Sequence, residues 1–299
     1  VIMSFLMLAM IFMMLPRAQV SANRINEVLD TEITVKDGTI DNNTNNEVGT
    51  IEFKNVGFKY PDGEDYVLKD ISFKANKGET VAFIGSTGSG KSTLINLVPR
   101  FYDATEGEIL VDGVNVKDYK LTSLYNKIGY VAQKAVIFND TVSGNVSYGD
   151  NGKGEISREK VKEAIEVAQG KDFVEKMENS YDTQMAQSGT NVSGGQKQRL
   201  SIARAIARDP EIYIFDDSFS ALDYKTDSIL RKELKKYTKY ATTLIVAQRI
   251  GTIMNADKIL VLDEGKVVGI GTHKELLKTC DVYKQIALSQ LSKEELDNA

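Results

Sequence analysis

The residues best suited to chemistry in this sequence form a glycine-rich loop that could hold phosphate. The segment Gly85-Ser86-Thr87-Gly88-Ser89-Gly90-Lys91-Ser92, followed by Thr93, fits the spacing G-x-x-x-x-G-K-[ST]. Its glycines let consecutive backbone N–H groups turn inward toward an anion. The Lys91 ammonium could then bridge phosphates, and the Ser92 hydroxyl could ligate Mg²⁺. The loop therefore predicts a site for a nucleotide and Mg²⁺.

A strand and a helix must flank such a loop if it is to bind phosphate. Thr80–Ile84 is a continuous apolar run, which is typical of a strand buried on both faces of a parallel sheet. A helical stretch, Lys91–Val98, follows the loop and would add the partial positive charge of its N-terminus. The alternative, a surface turn rich in glycine and serine, does not account for this order of strand, loop and helix.

A second apolar run ends in carboxylates that could complete the metal site. Glu211–Phe215 reads as another buried strand, and Asp216 and Asp217 follow it directly. Asp216 is the candidate that holds Mg²⁺ through water, although a carboxylate at this edge could also serve as a capping residue. The glycine-rich loop and this strand by themselves indicate a nucleotide-binding protein. That class still includes kinases, motors and transporters.

A further motif narrows the class. Val192-Ser193-Gly194-Gly195-Gln196, followed by Lys197–Arg204, resembles the signature of ABC-type ATPases, with valine where leucine is usual. Its position between the phosphate loop and the Asp216 strand makes the resemblance specific. In this family the signature faces the γ-phosphate held by the other domain of a head-to-tail pair. The resemblance thus implies two domains that enclose two ATP molecules with Mg²⁺.

The remaining landmarks come from the same resemblance, which covers nearly the whole chain. Tyr60 resembles the aromatic residue that stacks on adenine, although a core tyrosine is the alternative. Gln133 resembles the glutamine that reaches Mg²⁺ and couples to the membrane domain. Ser220 and Asp223 resemble the loop that crosses between the two nucleotide sites.

The sequence departs from the family at two catalytic positions. Asp217 stands where a glutamate usually polarises the attacking water, so its carboxylate is one methylene shorter. A misplacement of about 1 Å can cost about 100-fold in rate. Gln248 stands where a histidine contacts the γ-phosphate, and glutamine cannot carry a proton. The chain has one histidine, His273, which lies beyond this region. We therefore expect a site that binds ATP but hydrolyses it slowly, unless both replacements are harmless.

The rest of the chain predicts an α/β architecture. Strands alternate with helices, which favours a RecA-like parallel-sheet core, an N-terminal antiparallel β subdomain and a helical insert at about 134–205. The net charge of −5 is opposite in sign to the positive charge expected of a protein that binds nucleic acid. The single cysteine, Cys280, excludes an internal disulfide and a cysteine-based zinc site, and fits a reducing compartment.

The N-terminal segment is apolar from Val1 to Leu15 except for Ser4. A signal peptide would begin with basic residues, and a buried soluble helix would keep a polar face. The end of a transmembrane helix whose start is missing fits better, with Arg17 and Arg24 on the cytoplasmic side. The predicted organisation is therefore a helix and its cytoplasmic extension at 1–30, a linker at 31–47, the nucleotide-binding domain at 48–291 and a tail at 292–299.

The chain as a whole resembles the ATPase end of an exporter half-transporter, which implies a place in the cell membrane with the nucleotide-binding domain in the cytoplasm. Its expected partners are transmembrane domains, a transported small molecule, lipid or peptide, and a second half-transporter. A heterodimer is favoured, because the nearly intact signature would complete the active site of a different subunit that carries the glutamate and histidine this chain lacks. The alternatives are a self-sufficient homodimeric ATPase, a regulatory module that holds ATP, and a soluble ABC-type ATPase of DNA repair or translation. The apolar start and acidic balance argue against the last.

Overall fold

A computed structural model describes residues 1–41, 47–61 and 63–291 of the 299-residue chain. The chain divides into two compact units, Val1–Lys36 and Asp37–Ala299. Positions 42–46 of the predicted linker and the predicted tail at 292–299 lie outside the described residues.

The first unit contains one long helix, α1, Ile2–Leu29, of 28 residues. An 18-residue window within it has a mean hydropathy of 1.6, so by length and composition α1 could cross a membrane. Pro16 lies inside the helix, and none of the side chains of α1 is buried. The apolar run and most of the residues predicted as its cytoplasmic extension therefore lie in one continuous helix.

The second unit is built on two sheets. The small sheet has the order β2-β1-β4-β5 and is antiparallel throughout, whereas the six-stranded sheet has the order β10-β9-β3-β8-β7-β6. In the larger sheet all neighbours run parallel except β10 and β9. The predicted α/β class, with a parallel core and an antiparallel β subdomain, is confirmed. The strands are β1 Ile51–Phe58, β2 Leu68–Ala75, β3 Thr80–Gly85, β4 Glu106–Val111, β5 Val114–Asn115, β6 Ile128–Val131, β7 Ile212–Asp216, β8 Thr242–Val246, β9 Lys258–Asp263 and β10 Lys266–Gly271.

Helices cover the larger sheet, and several begin at a side-chain cap. Ser157, Ser193, Asp223 and Thr272 each accept a backbone N–H from the first turn of the helix that follows. Between β6 and β7 the described chain forms helices and no strand, as expected for the predicted insert, whose boundaries stay a prediction. The helices after α1 are α2 Lys91–Asn96, α3 Leu121–Lys127, α4 Val142–Val146, α5 Arg158–Val167, α6 Lys171–Val174, α7 Gly194–Ala207, α8 Tyr224–Tyr237, α9 Ile250–Ile253, α10 His273–Thr279 and α11 Asp281–Gln290.

The strand β3 shows why the larger sheet positions a site. Val81 and Phe83 pack into one hydrophobic cluster, and Ala82 and Ile84 pack into the cluster on the opposite face. A strand buried on both faces needs apolar residues at successive positions, which explains its uninterrupted run. Because β3, β7 and β8 run parallel, their carboxyl ends meet at one edge of the sheet.

The middle of the predicted linker, residues 37–41, belongs to the second unit. The backbone N–H of Gly38 donates to the Tyr119 carbonyl at 3.0 Å, and Ile40 forms a parallel bridge to Tyr119. Asp41 forms an ion pair with Lys120 at 2.6 Å. These contacts attach residues 37–41 to the small-sheet side of the domain.

Candidate phosphate-binding site

The glycine-rich loop connects the end of β3 to the start of α2 and takes a conformation that requires glycine. Gly88 and Gly90 have φ angles of 84° and 95°, in the left-handed region that L side chains rarely adopt. A Cβ atom at Gly85 would lie 2.0 Å from the Leu262 carbonyl oxygen on β9. The close approach of β9 therefore excludes a side chain at Gly85.

The side chain of Lys91 folds back over this loop. Its Nζ atom donates to the carbonyl oxygens of Gly85 at 3.0 Å and Ser86 at 2.7 Å, and to the Ser89 hydroxyl at 3.3 Å. Burial lowers the pKa of Lys91, and the nearby carboxylates of Asp217 and Asp216 oppose this effect. The Lys91 ammonium group thus donates to backbone carbonyl oxygens of the loop. A phosphate oxygen could take their place as the acceptor.

Two oxygen ligands for a hard cation meet beside the loop. The Ser92 hydroxyl donates to Oδ1 of Asp216 at 2.8 Å, and Asp216 is only 5% exposed. Burial raises the pKa of Asp216, and the hydrogen bond from Ser92 opposes this shift. Within the described residues no group of three His, Cys, Asp or Glu side chains could hold a metal ion. A pair of oxygen donors suits Mg²⁺, which keeps water and takes further ligands from substrate phosphates.

Two amides hold the carboxylate of Asp217. Its Oδ2 atom accepts from Nε2 of Gln248 at 2.8 Å and from Nε2 of Gln133 at 3.2 Å. The backbone of Asp217 is left-handed, with φ 45°, and its N–H donates to the Val246 carbonyl at 3.0 Å. Burial raises the pKa of Asp217, and the hydrogen bonds from Gln133 and Gln248 oppose that shift.

These groups surround a cleft of about 230 Å³ at the carboxyl edge of the parallel strands. Asp216 is connected to the cleft by its hydrogen bond from Ser92. Gly85, Ser86 and Ser89 are connected to it by the hydrogen bonds that they accept from Lys91. Val67 and Val246 also line the cleft, and both lacked a sequence signal because neither belongs to a motif. The lining residues are Val67, Thr87, Gly88, Gly90, Lys91, Ser92, Thr93, Gln133, Asp217, Val246 and Gln248.

The half-buried ring of Tyr60 is connected to this site through Thr93. The Tyr60 hydroxyl lies 2.9 Å from Oγ1 of Thr93. Its ring packs edge-on against Phe58 and Tyr102, with centroids 4.9 Å and 5.2 Å away. Tyr102, which is part of this aromatic group, was not singled out from the sequence.

The signature residues lie elsewhere, since the described lining of the cleft does not include Ser193, Gly194, Gly195 or Gln196. Ser193 caps α7, and its own N–H donates to Oε1 of Gln196 at 2.9 Å, which completes a reciprocal capping box. Ser193 and Gly194 are exposed, and a Cβ at Gly194 would meet open space. The start of α7 therefore presents backbone N–H groups outward, where a helix N-terminus can bind an anion.

The loop between β7 and α8 packs against the start of α7 and begins at Asp217 of the cleft. The Ser220 hydroxyl donates to the Asp217 carbonyl at 2.8 Å, and the Asp223 side chain accepts from the Thr226 N–H at 3.0 Å. A Cβ at Gly195 would lie 3.2 Å from the Ala221 carbonyl oxygen, so the helix start packs on this loop. The hydrogen bonds from Thr226 lower the pKa of Asp223.

One supporting residue had no distinct sequence signal. Nε2 of Gln198 on α7 donates to the Ala132 carbonyl at 3.2 Å, next to Gln133. Gln198 is only 2% exposed, which is unusual for glutamine. Its partner is 66 residues away in the chain, so only the tertiary structure pairs them.

Comparisons with known protein families and sequences find similar proteins. The model of the ABC transporter family matches residues 68–220. An uncharacterized ABC transporter ATP-binding protein of Mycobacterium bovis is 43% identical over 97% of this chain and 50% of its own length. A Staphylococcus aureus protein, whose assigned name describes a multidrug export ATP-binding/permease protein, is 44% identical over 87% of this chain and 44% of its own.

A solved structure of an ABC exporter also resembles this chain in its fold. The structure of a bacterial Atm1-family ABC exporter with ATP bound superimposes with a TM-score of 0.86 at 35% identity, covering 96% of this chain and 50% of that chain. The chain thus spans about half the length of the relatives it matches.

Proposed function

This chain belongs to the ABC transporter family, and from that premise we propose that it is the ATP-binding end of an exporter half-transporter. The names of the Staphylococcus relative and of the Atm1-family exporter support export as the role. In this proposal α1 is the end of the last transmembrane helix, with Arg17 and Arg24 toward the cytoplasm. The cargo is a small molecule, lipid or peptide carried by the transmembrane domains.

ABC ATPase domains bind ATP with Mg²⁺, and the cleft offers suitable groups for both. Lys91 and the N–H groups of the glycine-rich loop would bind the phosphates, and Tyr60 would stack on the adenine. Ser92 and Asp216 would hold the cation, with the Gln133 amide oxygen as a further ligand. When bound, Mg²⁺ neutralises charge on the phosphates. The open space around Gly88 is compatible with phosphate at the loop.

One observation carries the proposal that this site hydrolyses slowly: two amide N–H groups donate to Oδ2 of Asp217. Hydrogen bonds to the ionised carboxylate oppose the rise of its pKa, which makes it a weaker general base for the attacking water. Asp217 is already short by one methylene, and Gln248 cannot exchange a proton. The cleft is therefore better equipped to hold ATP than to activate water.

The exposed start of α7 supports a division of labour between two subunits. Ser193 and Gly194 present an anion site that the described cleft of the same chain does not use. In a head-to-tail pair, Ser193–Gln196 would complete the nucleotide site of the partner, and Ser220 and Asp223 would lie between the two sites. A heterodimer whose partner carries glutamate and histidine would then hydrolyse ATP mainly at the partner's loop.

A second candidate function rests on the raised pKa of Asp217. Burial moves the pKa of this carboxyl toward neutrality, which favours proton acceptance by a general base. The chain would then act as a self-sufficient homodimeric ATPase in which Asp217 serves as the base despite its length.

The test compares the 299-residue chain in lipid nanodiscs with the double variant Asp217→Glu/Gln248→His. Mg-ATP binding and turnover are measured at matched high protein concentration. The control, Asp172→Glu/Gln184→His, makes the same chemical changes at exposed positions outside the cleft. The parent should bind Mg-ATP with slow turnover, and the double variant should gain at least about tenfold in rate, since a 1 Å correction can be worth about 100-fold.

The outcomes separate the two candidates. Fast turnover in the parent, unchanged in the double variant, would establish Asp217 as an adequate base and favour the homodimer. Tight binding without turnover in either form would show that the two replacements do not limit the rate, which contradicts the proposal.

A further inference from the structure

A second cavity, of about 440 Å³, lies between α8, α9 and one face of the six-stranded sheet. Its volume falls within the range typical of small-molecule sites. None of its described lining residues lines the phosphate-binding cleft. Its lining includes Phe219, Leu234, Thr243 and Ile245, together with Lys232 and Lys235.

The floor of this cavity carries an unsatisfied hydroxyl. Thr243 is 3% exposed, and its Oγ1 atom has no hydrogen-bond partner among the described residues. A buried hydroxyl without a partner is costly, and valine would fill the same place in β8 without that cost. A polar group of a ligand in the cavity would supply the missing hydrogen bond.

The walls combine apolar side chains with a positively charged rim. Phe219, Leu234 and Ile245 are buried and supply an apolar surface. Lys232 and Lys235 are exposed at the rim, and neither forms an ion pair with a described residue. None of the described residues that line the cavity is an aspartate or glutamate.

The third cation, Arg231, has a structural role in the wall. It forms a two-bond ion pair with Asp227, at 2.9 Å and 3.0 Å, and donates to the Gly251 carbonyl at 2.9 Å. Asp227 balances its charge, so the charge available to a ligand comes from Lys232 and Lys235. The ion pair lies within α8, and the hydrogen bond from Arg231 to Gly251 joins α8 to α9 beside the cavity.

We propose that this cavity is a binding site for a small amphipathic anion. The flat apolar body of the ligand lies against Phe219, Leu234 and Ile245. A hydroxyl on that body hydrogen-bonds to Oγ1 of Thr243, and a carboxylate reaches Lys232 and Lys235.

The position of the cavity connects it to the phosphate-binding cleft. Phe219 and Thr252 also line a small pocket formed with Asp217 and Gln248. An occupant would therefore contact the segments that carry both residues. Binding itself requires no nucleotide and is independent of how fast the cleft hydrolyses ATP.

The test uses the 299-residue chain in lipid nanodiscs and three probes, measured by calorimetric titration at low ionic strength. The probes are para-hydroxybenzoate, benzoate without the hydroxyl, and the uncharged para-hydroxybenzamide. The variants are Thr243→Val, the double Lys232→Gln/Lys235→Gln, and Ala256→Phe, which fills the cavity. Lys236→Gln is the matched control, because Lys236 pairs with Glu233 and does not line the cavity.

We expect para-hydroxybenzoate to bind with a dissociation constant of about 1 mM. Thr243→Val should weaken it by about fivefold while leaving benzoate within about twofold, because only the first probe bonds to the hydroxyl. The double lysine variant should weaken both carboxylates by about fivefold and not the amide. Ala256→Phe should abolish binding of all three probes.

The proposal is overturned if para-hydroxybenzoate shows no saturable binding below about 10 mM. It is equally overturned if affinity is unchanged by Thr243→Val. That substitution preserves shape in a buried strand, so it tests the site even where Ala256→Phe fails to fold.

Discussion

Nε2 of Gln248 lies 2.8 Å from Oδ2 of Asp217, so the end of β8 and the end of β7 are joined by one side-chain hydrogen bond. The residues are 31 positions apart in the chain, and the parallel pairing of β7 with β8 brings them together. This contact restrains the carboxylate at the position where a catalytic base would stand. It also opposes the effect of burial on the pKa of Asp217.

The acid limb of turnover should move when this contact is removed. Burial raises the pKa of Asp217, and Gln248→Leu removes one hydrogen bond that holds it down. Only the ionised carboxylate accepts a proton, so activity is lost as pH falls through this pKa. We therefore expect the acid limb of kcat in Gln248→Leu to lie at higher pH than in the parent, measured from steady-state rates across the acid range.

The exposed residue Gln184 provides a control for that experiment. Gln184→Leu makes the same substitution outside the cleft and should leave the pH profile unchanged. An acid limb that moves to lower pH in Gln248→Leu would contradict the assigned role of the hydrogen bond.

Gly85→Ala should destabilise the domain and abolish nucleotide binding. Its Cβ would lie 2.0 Å from the Leu262 carbonyl oxygen, so β3 and β9 would have to separate. Gly251→Ala is the matched control, because its Cβ would meet open space in a helix, where alanine is favoured by about 1 kcal/mol. Thermal unfolding and ATP titration of both variants check this, and normal binding in Gly85→Ala would refute it.

Ser193→Ala should affect both stability and the partner's nucleotide site. Loss of the cap of α7 should cost about 1 kcal/mol in the free energy of unfolding. Thr272→Ala removes the equivalent capping box of α10 and should cost a similar amount. In a mixed dimer, only Ser193→Ala should slow hydrolysis at the partner's loop. Equal rates of ATP hydrolysis for Ser193→Ala and Thr272→Ala would show that Ser193 does not act at the partner's nucleotide site.

Arg231→Met should be strongly destabilising, because Asp227 is 3% exposed and would lose its counter-charge. Removing one member of a buried pair costs about 3–5 kcal/mol. The exposed pair of Lys236 and Glu233 on the same helix is the control, and Lys236→Met should cost no more than about 1 kcal/mol. Urea unfolding followed by tyrosine fluorescence measures both, and the double variant Asp227→Leu/Arg231→Met should recover much of the loss.

The phosphate loop and its flanking elements could be predicted from the sequence because their signals are local. The spacing of Gly85, Gly90 and Lys91 and the apolar run before them depend only on neighbouring residues. The capping box at Ser193 and Gln196 is local in the same way. The sequence did not indicate strand β4, Glu106–Val111, which alternates only weakly and gains its place by pairing with β1.

The sequence by itself determined the spacing of the glycine-rich loop, which predicts a phosphate site, and it led to the prediction that Asp217 and Gln248 depart from the family pattern. Tertiary structure alone decided that these two residues meet, and that Gln133 reaches the same oxygen from 84 positions away. It also decided that Thr243 carries an unpaired hydroxyl in a second cavity. Motifs and periodicity report contacts between near neighbours in the chain, whereas side-chain pairing across a sheet depends on strand order and register, which local sequence does not encode.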